Sequence, residues 1–427
     1  NENILYLIYY VKSNSNYNKT KNELSKIIPK LEDNINIDIS NYYEIGPKKN
    51  FKTAWCTNVI NILNKCNIYC IHSIEKHVIY KKLIKFDKMT KCIYNNNIVS
   101  KVDNKLKLEY IKDIEKYNIE HNLGFNKNDI EFYNNYFKII NRKPTNVELY
   151  DLSQSNSEHC RHWLFKGLLY LIENSNYILE KNSMMSLIQK PYYKYVNKNI
   201  IHNSLIAFND NASAIKGYNT LILKSNKDLK YEQTETNQHF TFKAETHNFP
   251  TAISPFPAAE TGVGGRIRDT ISIGRGGVNV AGTAGYCVGN LNIDNYKLSW
   301  EDGKYKNGLL VPADEILIEA SNGASDYGNK IGEPIIGGFT RSFGMDIHLG
   351  KRVEWLKPIM FSGGIGFIYD KYITKINAKP NMKIIKIGGD AFKIGLGGST
   401  ASSTENNTNN LDIYEGSVQR GDAEMEN

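Results

Sequence analysis

Two histidines, an acid and an arginine stand close together in the stretch Gln154 to Trp163. On a helix, His159 and His162 would lie on neighbouring surfaces, with Glu158 and Arg161 beside them. Because imidazole titrates near neutral pH, this pattern is typical of a general acid–base site. An ordinary helix with two surface histidines has the same spacing, and a metal pair is the weaker interpretation because the sequence shows no third ligand.

Polar side chains crowd a second stretch, Lys243 to Thr251, at the end of a predicted strand and around Pro250. Strand ends are where a rigid scaffold presents ligands. Mg²⁺ prefers carboxylates together with substrate phosphates, so Glu245 is a candidate metal ligand. A capped turn explains the same residues equally well.

Glycines, arginines and an acid share a third stretch, Thr261 to Asp269, and more glycines follow at Gly274 to Gly277. Glycines let backbone N–H groups approach phosphate oxygens, and arginines offer paired donors to the same oxygens. Asp269 adds a second candidate metal ligand. The spacing matches neither the P-loop nor the dinucleotide-binding fingerprint. We predict a phosphate-binding loop, with a cluster of structural turns as the alternative.

Small residues and hydroxyls make up a fourth stretch, Gly395 to Ser403, after the strand-like run Lys383 to Ile387. This composition suits a pocket for phosphate or ribose, and it also suits a flexible linker. Together the four stretches favour an enzyme that uses a magnesium–nucleotide complex, without identifying its reaction.

The elements that position these residues differ between the two halves of the chain. Only four of the 32 glycines precede residue 241. The first half is therefore predicted to consist of ordinary helices and strands, and the second to depend on tight turns and close backbone approaches. Short strands are expected after Pro191, with glycine-rich turns from residue 262 onward.

Residues 1–95 are predicted to form a small α+β module. The hydrophobic pattern indicates a strand over 3–11, a helix over 20–30, a strand over 35–44, a helix over 55–66 and strands within 68–80. This order favours a ferredoxin-like arrangement.

Residues 96–185 are predicted to form a helical linker. Helices are expected over 103–121, 127–141 and 157–170. In addition, Thr145 with Glu148 three residues later predicts a capping box at the start of another helix.

Composition excludes several classes of protein. Of the 427 residues, 41% are hydrophobic and 23% are charged, as in ordinary globular proteins, and no run approaches the roughly 18 apolar residues of a membrane span. Six cysteines without a Cys-x-x-Cys pair argue against a disulfide framework and favour the cytoplasm. The net charge of +8 lies within residues 1–150, where either codon bias or a polyanion-binding face explains the excess of lysines.

The four stretches also carry a family resemblance. Ser155 to Trp163, Glu245 to Pro250 and Thr261 to Asp269 resemble signatures of the phosphoribosylformylglycinamidine synthases, the amidotransferases of the fourth step of purine synthesis. Four further stretches match in family order: Ala281 to Cys287, Ala320 to Lys330, Lys357 to Gly364 and Ser417 to Asp422. The chain is most similar to the large single-chain type of eukaryotes, whereas residues 1–95 are similar mainly in layout.

This resemblance implies an α+β protein of four parts. They are a ferredoxin-like N-terminal domain over 1–95, a helical linker over 96–185, an aminoimidazole-ribonucleotide-synthetase-like α/β ATP-binding domain over 186–375, and the start of its partner domain over 376–427. The family's second synthetase half and glutaminase domain have no counterpart in the sequence. We therefore expect the N-terminal part of such an enzyme, either a fragment or a truncated product, and inactive alone.

The implied reaction converts formylglycinamide ribonucleotide, ATP and glutamine to formylglycinamidine ribonucleotide. ATP phosphorylates the substrate amide oxygen, and ammonia then displaces phosphate from the iminophosphate. ATP and Mg²⁺ are the implied cofactors, and the partners are small molecules, with no membrane or nucleic acid.

The resemblance also implies residue roles. His159 falls on the family's active-site histidine, where it would handle a proton of the amide or of ammonia. Glu245 and Asp269 are the metal candidates, and Gly395 to Ser403 is the candidate substrate-phosphate site. The implied nucleotide-binding residues are Ala258, Ala259, Glu260, Thr261, Gly262, Val263, Gly264, Gly265, Arg266, Ile267, Arg268, Asp269, Gly337, Gly338 and Phe339.

Two alternative functions stay open. One is a related ATP-using synthetase of the same superfamily, against which the Ser157 to Trp163 motif counts. The other is a non-catalytic remnant or a polyanion-binding module. The chain also departs from the family pattern at Ala258 to Gly262, where a glycine is lost and Glu260 would place a carboxylate beside a polyphosphate, and at Ser399-Thr400, which replaces the usual Gly-Ala. We expect Glu260 to point to solvent or toward Arg266 or Arg268.

Overall fold

The computed structural model forms two compact units, and the described candidate site residues all belong to the second. The first unit comprises Asn1–Lys105, Lys383–Ile394 and Asp422–Asn427, and the second comprises Leu106–Met382 and Gly395–Gly421. The structure describes residues 4–11, 17–26, 42–48, 52–94, 107–156, 163–173, 176–180, 182–198, 200, 202–301, 310–388, 394–403 and 411–427.

A four-stranded antiparallel sheet, in the order β1-β3-β2-β4, forms the centre of the first unit. Its elements are β1 Ile4–Val11, α1 Tyr17–Ser25, β2 Tyr43–Pro47, α2 Ala54–Lys65, β3 Ile71–Tyr80 and β4 Lys91–Ile93. Leu24 of α1, Leu63 of α2 and Ile74 of β3 share one buried core, so both helices pack with β3. The strand predicted over 35–44 is found at Tyr43–Pro47, and residues 27–41 lie outside the described residues. The order of strands and helices is the predicted one, and the ferredoxin-like arrangement stays a prediction.

Three helices at the start of the second unit form a core of their own. They are α3 Ile114–His121, α4 Lys127–Ile139 and α5 Asn146–Ser155. The core residues are Ile114, Leu123, Phe125, Tyr133, Phe137 and Leu149. The Thr145 hydroxyl accepts the Glu148 N–H while Glu148 accepts the Thr145 N–H at 2.9 Å, which confirms the predicted capping box. The predicted helix 103–121 is too long, because Asp113 caps α3 and residues 107–113 are not helical.

The end of the predicted linker is not purely helical. Its elements are α6 Trp163–Lys166, the hairpin strands β5 Leu169–Glu173 and β6 Asn176–Glu180, and α7 Met184–Asn197. The predicted helix 157–170 is therefore wrong from Leu169 onward, since the aliphatic and aromatic residues of both segments favour paired strands. Residues 157–162 lie outside the described residues. Pro191 lies within α7, and the strands begin only at Ser204.

A six-stranded sheet in the order β11-β10-β14-β9-β8-β7 is the main scaffold of the second unit. Only the β10–β11 pair is parallel. The strands are β7 Ser204–Ile206, β8 Ser213–Ser225, β9 Tyr231–Thr246, β10 Val278–Val288, β11 Ile335–Ser342 and β14 Ile359–Tyr369, with a separate hairpin of β12 Gly344–Ile347 and β13 Lys351–Glu354. At 13 and 16 residues, β8 and β9 are longer than the predicted short strands.

Helices cover one face of this sheet. They are α8 Asn248–Ile253, α9 Pro255–Ser272 and α10 Ala313–Ile331. Two more helices of the second unit follow along the chain, α11 Gly398–Ser403 and α12 Leu411–Ser417. The last helix, α13 Ala423–Glu426, belongs to the first unit. Short 3₁₀ turns occupy His348–Gly350 and Asp370–Tyr372. No strand forms over the strand-like run Lys383 to Ile387, which is irregular and exposed. None of the helices in the described ranges has the length and hydropathy that a bilayer span requires.

The predicted phosphate-binding loop at Thr261 to Asp269 has a different conformation, because it is the middle of α9. Its glycines serve close packing. A Cβ on Gly264 would lie 2.6 Å from the Tyr327 ring of α10, and one on Gly262 would lie 3.0 Å from the Met360 sulfur of β14. Glycine is a poor helix former, so tertiary packing decides the conformation of this segment.

Candidate functional site

Two acids from separate stretches meet at one lysine. Lys243 and Glu245 are two residues apart on β9, so their side chains lie on the same face of the strand. Asp269 approaches them from α9. The Lys243 Nζ lies 2.9 Å from Asp269 Oδ2 and 3.5 Å from Glu245 Oε1. Glu245 is 40% exposed and Asp269 27%, so this acidic pair is accessible to a ligand.

The charges of this cluster influence one another. Burial raises the pKa of Glu245, and the hydrogen bond and negative charge of Asp269 raise it further, against the lowering effect of Lys243. Burial alone would lower the pKa of Lys243, but the hydrogen bond to Asp269 and the two negative charges raise it above its ordinary value. Two carboxylates in hydrogen-bond contact require a proton or a cation between them. Lys243 is that cation in this structure, since its Nζ contacts both carboxylates.

The donor set fits Mg²⁺ in one particular way. No group of three or more His, Cys, Asp or Glu side chains within metal-binding reach occurs in the described ranges. Mg²⁺ commonly takes only one or two carboxylates and completes its octahedron with water and substrate phosphates. Glu245 and Asp269 thus suit an ion that arrives with a polyphosphate, rather than one held by protein alone.

Arg266, predicted to contact phosphate, is engaged inside the core. Its side chain is 0% exposed, and its Nη1 donates to Glu333 Oε1 at 2.5 Å while Nη2 donates to the other carboxylate oxygen. Its Nε faces the Ser362 hydroxyl at 3.4 Å. A Cβ on Gly282 or Gly364 would lie within 2.5 Å of the guanidinium nitrogens, so these glycines make the space for it. Arg266 consequently joins α9 to the sheet.

Glu260 does not point to solvent. It is only 8% exposed, because the part of α9 around it is enclosed on all sides. Next to it, the Thr261 hydroxyl donates to the Gln419 carbonyl at 3.2 Å, which places the C-terminal segment over the helix. The expectation of an exposed loop acid is wrong, since it assumed a loop at this position.

Of the predicted nucleotide-binding stretch, only the end of α9 reaches the surface. Ala258, Ala259, Glu260, Thr261, Gly262, Val263, Gly264, Arg266 and Ile267 are buried, whereas Arg268 is exposed and Gly265 and Asp269 are partly exposed. Nucleotide binding by this stretch stays a prediction, and the accessible part of it is Arg268 with Asp269.

His247 was not assigned a role from the sequence, although its stretch was singled out. Its Nδ1 lies 2.6 Å from the Ala258 carbonyl oxygen, and its N–H donates to the Met360 carbonyl. A carbonyl only accepts, so Nδ1 of His247 carries the proton. The feature of the sequence that could have identified His247 is the Glu-x-His spacing at the end of a strand.

The predicted contact at Gly337, Gly338 and Phe339 lies on β11 beside a cleft. The cleft has a volume of about 370 Å³. Besides these three residues, its lining comprises Ala284, Tyr286, Ser321, Ala324, Ser325, Ile335 and Thr340. The buried Tyr286 hydroxyl donates to the Ala320 carbonyl, and burial raises the pKa of Tyr286 to about 12, so this phenol stays protonated. The cleft thus offers neutral hydroxyls and an open backbone at Gly337.

The fourth stretch packs against the helix that leads to the predicted histidine site. The Thr400 hydroxyl of α11 donates to the Ser153 carbonyl at 3.2 Å and accepts from Gln154 Nε2 at 3.0 Å. The flexible-linker alternative is therefore wrong for Gly398–Ser403, which forms a helix. His159 and the rest of 157–162 lie outside the described residues.

Comparison with known proteins extends the family resemblance. Residues 114–162 match the family described as the formylglycinamide ribonucleotide amidotransferase linker domain. The phosphoribosylformylglycinamidine synthase of Dictyostelium discoideum is 42% identical over 412 residues, which cover 90% of this chain and 30% of that protein. The probable phosphoribosylformylglycinamidine synthase, chloroplastic/mitochondrial, of Arabidopsis thaliana is 43% identical over 413 residues, covering 90% and 29%.

Among solved structures, T. maritima PurL complexed with FGAR aligns with a TM-score of 0.37 and 21% identity, covering 69% of this chain and 35% of that one. The chain spans about 30% of the length of the curated relatives it matches. With a matching linker domain and identity above 40% across nine-tenths of its residues, the chain is a homologue of the phosphoribosylformylglycinamidine synthases, corresponding to part of their length.

Proposed function

We propose that the chain provides the first ATP-binding synthetase half of a phosphoribosylformylglycinamidine synthase, together with its N-terminal domain and linker. The observation that carries this proposal is the acidic pair at Lys243. Glu245 and Asp269 come from two different family motifs, and they form one accessible cluster at the junction of β9 and α9. A purely structural origin of the motifs would not require them to converge.

ATP with Mg²⁺ is the proposed cofactor of this cluster. Glu245 and Asp269 would hold the ion, which when bound offsets the negative charge of the polyphosphate. Lys243 keeps the two carboxylates together and is close enough to contact an incoming phosphate. The cleft beside Gly337 and the exposed Arg268 are the proposed contacts for the rest of the nucleotide.

The proposed reaction forms formylglycinamidine ribonucleotide from formylglycinamide ribonucleotide, through an iminophosphate and ammonia derived from glutamine. His159 would handle a proton of the amide or of ammonia, and we propose His247, whose Nδ1 is held by the Ala258 carbonyl, as a second candidate acid–base residue. The glutaminase activity and the second synthetase half would reside elsewhere in the full enzyme. The chain alone is therefore expected to make no product from glutamine.

A second half has a surface to pack on. The sheet face opposite α9 exposes large apolar side chains on three neighbouring strands, among them Phe240, Phe242 and Ile365, each at least 44% exposed. An apolar area of this kind is typical of a face that is covered in the complete protein. The cytoplasm stays the predicted compartment, although the Arabidopsis relative is named as chloroplastic/mitochondrial.

Calorimetric titration of ATP with Mg²⁺ tests the cofactor assignment. Asp269→Asn and Glu245→Gln should each weaken binding by about tenfold or more, because each removes a charged ligand. Asp326→Asn, at a surface pair with Lys330, is the matched control and should leave affinity unchanged. Equal affinities in all four proteins would refute the role of the acidic pair.

In the full-length enzyme, His159→Ala should lower amidine synthesis by ~10²–10⁴-fold while sparing glutamine hydrolysis. This selective loss also separates the proposal from its alternatives. A related synthetase would act on another substrate, and a non-catalytic remnant would show no synthesis in either protein.

A further inference from the structure

Lys357 stands beside the His247 turn at the start of β14. It directly precedes Pro358, which disfavours a helical backbone at Lys357. Two hydrogen bonds tie this segment to the turn: the Met360 N–H donates to Asn248 Oδ1 at 3.0 Å, and the His247 N–H donates to the Met360 carbonyl at 2.9 Å. The segment that carries Lys357 is therefore anchored to the turn formed by His247 and Asn248.

The ammonium group of Lys357 has an aromatic neighbour instead of an acid. Its Nζ lies 5.0 Å from the ring centroid of Phe249, a residue that is only 3% exposed. None of the described carboxylates forms an ion pair with it. Partial burial lowers the pKa of Lys357. The pKa of Lys243, by contrast, is raised, because that lysine contacts two acids.

The Phe249 ring gives this ammonium group a weaker partner than a carboxylate would. A cation over an aromatic ring is attracted to it, which partly offsets the loss of hydration on the side that faces the ring. At the same time the residue is exposed enough for a ligand to reach it. An exposed ammonium group that contacts an aromatic ring, with no ion pair to a described carboxylate, is suited to anion recognition.

We propose that Lys357 binds a phosphate-type oxyanion of the ligand that occupies the site beside His247. An ammonium group on a flexible stem acts as a point charge, which suits a phosphate oxygen. The anion is either inorganic phosphate or the phosphate of a sugar or nucleotide, since all present the same chemistry. The proposal rests on the proposed function for the identity of the ligand.

Chemical labelling of the full chain with acetic anhydride, followed by mass spectrometry, tests this role. Free Lys357 should react faster than Lys379, an exposed lysine of the same unit that serves as the internal control, because more of its amine is unprotonated. Inorganic phosphate, ribose 5-phosphate and ATP with Mg²⁺ are added in separate arms. A ligand at about ten times its Kd leaves roughly one protein in eleven free, so the rate at Lys357 should fall about tenfold while that at Lys379 stays constant. The arm that protects identifies the source of the phosphate.

Calorimetry on the same samples separates the two proposals. Lys357→Met should weaken binding of the protecting ligand by about tenfold or more, and Lys357→Arg should restore part of it because the charge is retained. Binding without protection of Lys357 would overturn its role while leaving the proposed function intact. Absence of binding by all three compounds would overturn the proposed function, and the role of Lys357 with it.

Discussion

Replacing Arg266 by methionine tests whether this charged residue of α9 stabilises the fold or binds a ligand. The sequence predicted a phosphate contact, whereas the structure places this guanidinium in the core against Glu333, which is 3% exposed. Methionine is shorter, but it is flexible, has a comparable volume and carries no charge. The substitution therefore removes the ion pair while filling most of the space.

The expected loss follows from the burial of both partners. Removing one member of a buried pair leaves the other charged and unpaired, which costs ~3–5 kcal/mol. At ~1.4 kcal/mol per tenfold, a loss of about 4 kcal/mol raises the local opening equilibrium roughly 10³-fold. The double variant Arg266→Met with Glu333→Leu should recover most of this loss, since replacing a whole buried pair by apolar residues is often neutral or stabilising.

Native-state hydrogen exchange of the α9 and β10 amides is the suitable assay. It reports local opening free energies even where a chain of several units does not unfold in one step. Arg268→Met provides the matched control, because Arg268 is exposed on the same helix. This control should change the opening free energy by no more than ~0.5 kcal/mol.

The opposite pattern would refute the reasoning. Suppose that Arg266→Met exchanges as slowly as the wild type and loses more ATP affinity than Arg268→Met does. The guanidinium would then serve a ligand, and its pairing with Glu333 would contribute nothing to stability.

Three further changes have defined outcomes. Gly264→Ala should lower stability by ~1–3 kcal/mol, because its Cβ would meet the buried Tyr327 ring at 2.6 Å. Gly265→Ala should raise stability by ~0.5–1 kcal/mol through helix propensity, because the nearest atom to its Cβ would be 3.7 Å away. Thermal denaturation of both variants checks this contrast, and equal losses would contradict it. The pKa of Glu245 is raised above 4.5, so its contribution to stability is fully present below pH 4.5 and is lost as the pH rises through the raised pKa. Glu245→Gln should remove this pH dependence and should have a higher Tm than the wild type above that pH range. Parallel curves of Tm against pH for the two proteins would argue against this assignment. Thr145→Ala removes one half of a capping box and should cost ~1 kcal/mol, measured as faster amide exchange in α5, while unchanged exchange would show that the cap is dispensable.

Local features were predictable from the sequence wherever a few neighbouring residues decide them. The capping box of Thr145 and Glu148 needs only a hydroxyl and a carboxylate three residues apart, and the structure has it. The helix predicted over 55–66 is α2 Ala54–Lys65 for the same reason, since its apolar spacing is local. The predicted helix over 157–170 is wrong from Leu169 onward, because the pairing of β5 with β6 replaces it there.

Only part of the candidate site could be predicted from the sequence in this way. Residue types identified Glu245 and Asp269 as metal candidates, because carboxylates beside glycines and arginines point to phosphate and magnesium chemistry. Their shared contact with Lys243 depends on the packing of α9 against β9, which no spacing along the chain contains. His247 was missed for a related reason, since its proton position depends on the carbonyl of Ala258 on another helix.

By itself the sequence determined the chemical inventory and the family resemblance, because both are properties of residue type and order. Tertiary structure decided the use of each residue. Gly262 and Gly264, which suggested a phosphate loop, allow α9 to approach β14 and α10 closely, and Arg266 anchors that helix to Glu333. Glycine lowers helix propensity by about 1 kcal/mol, but burial of an 18-residue helix between a sheet and a second helix outweighs this cost. A local preference of that size yields to packing energies that arise only when distant segments meet.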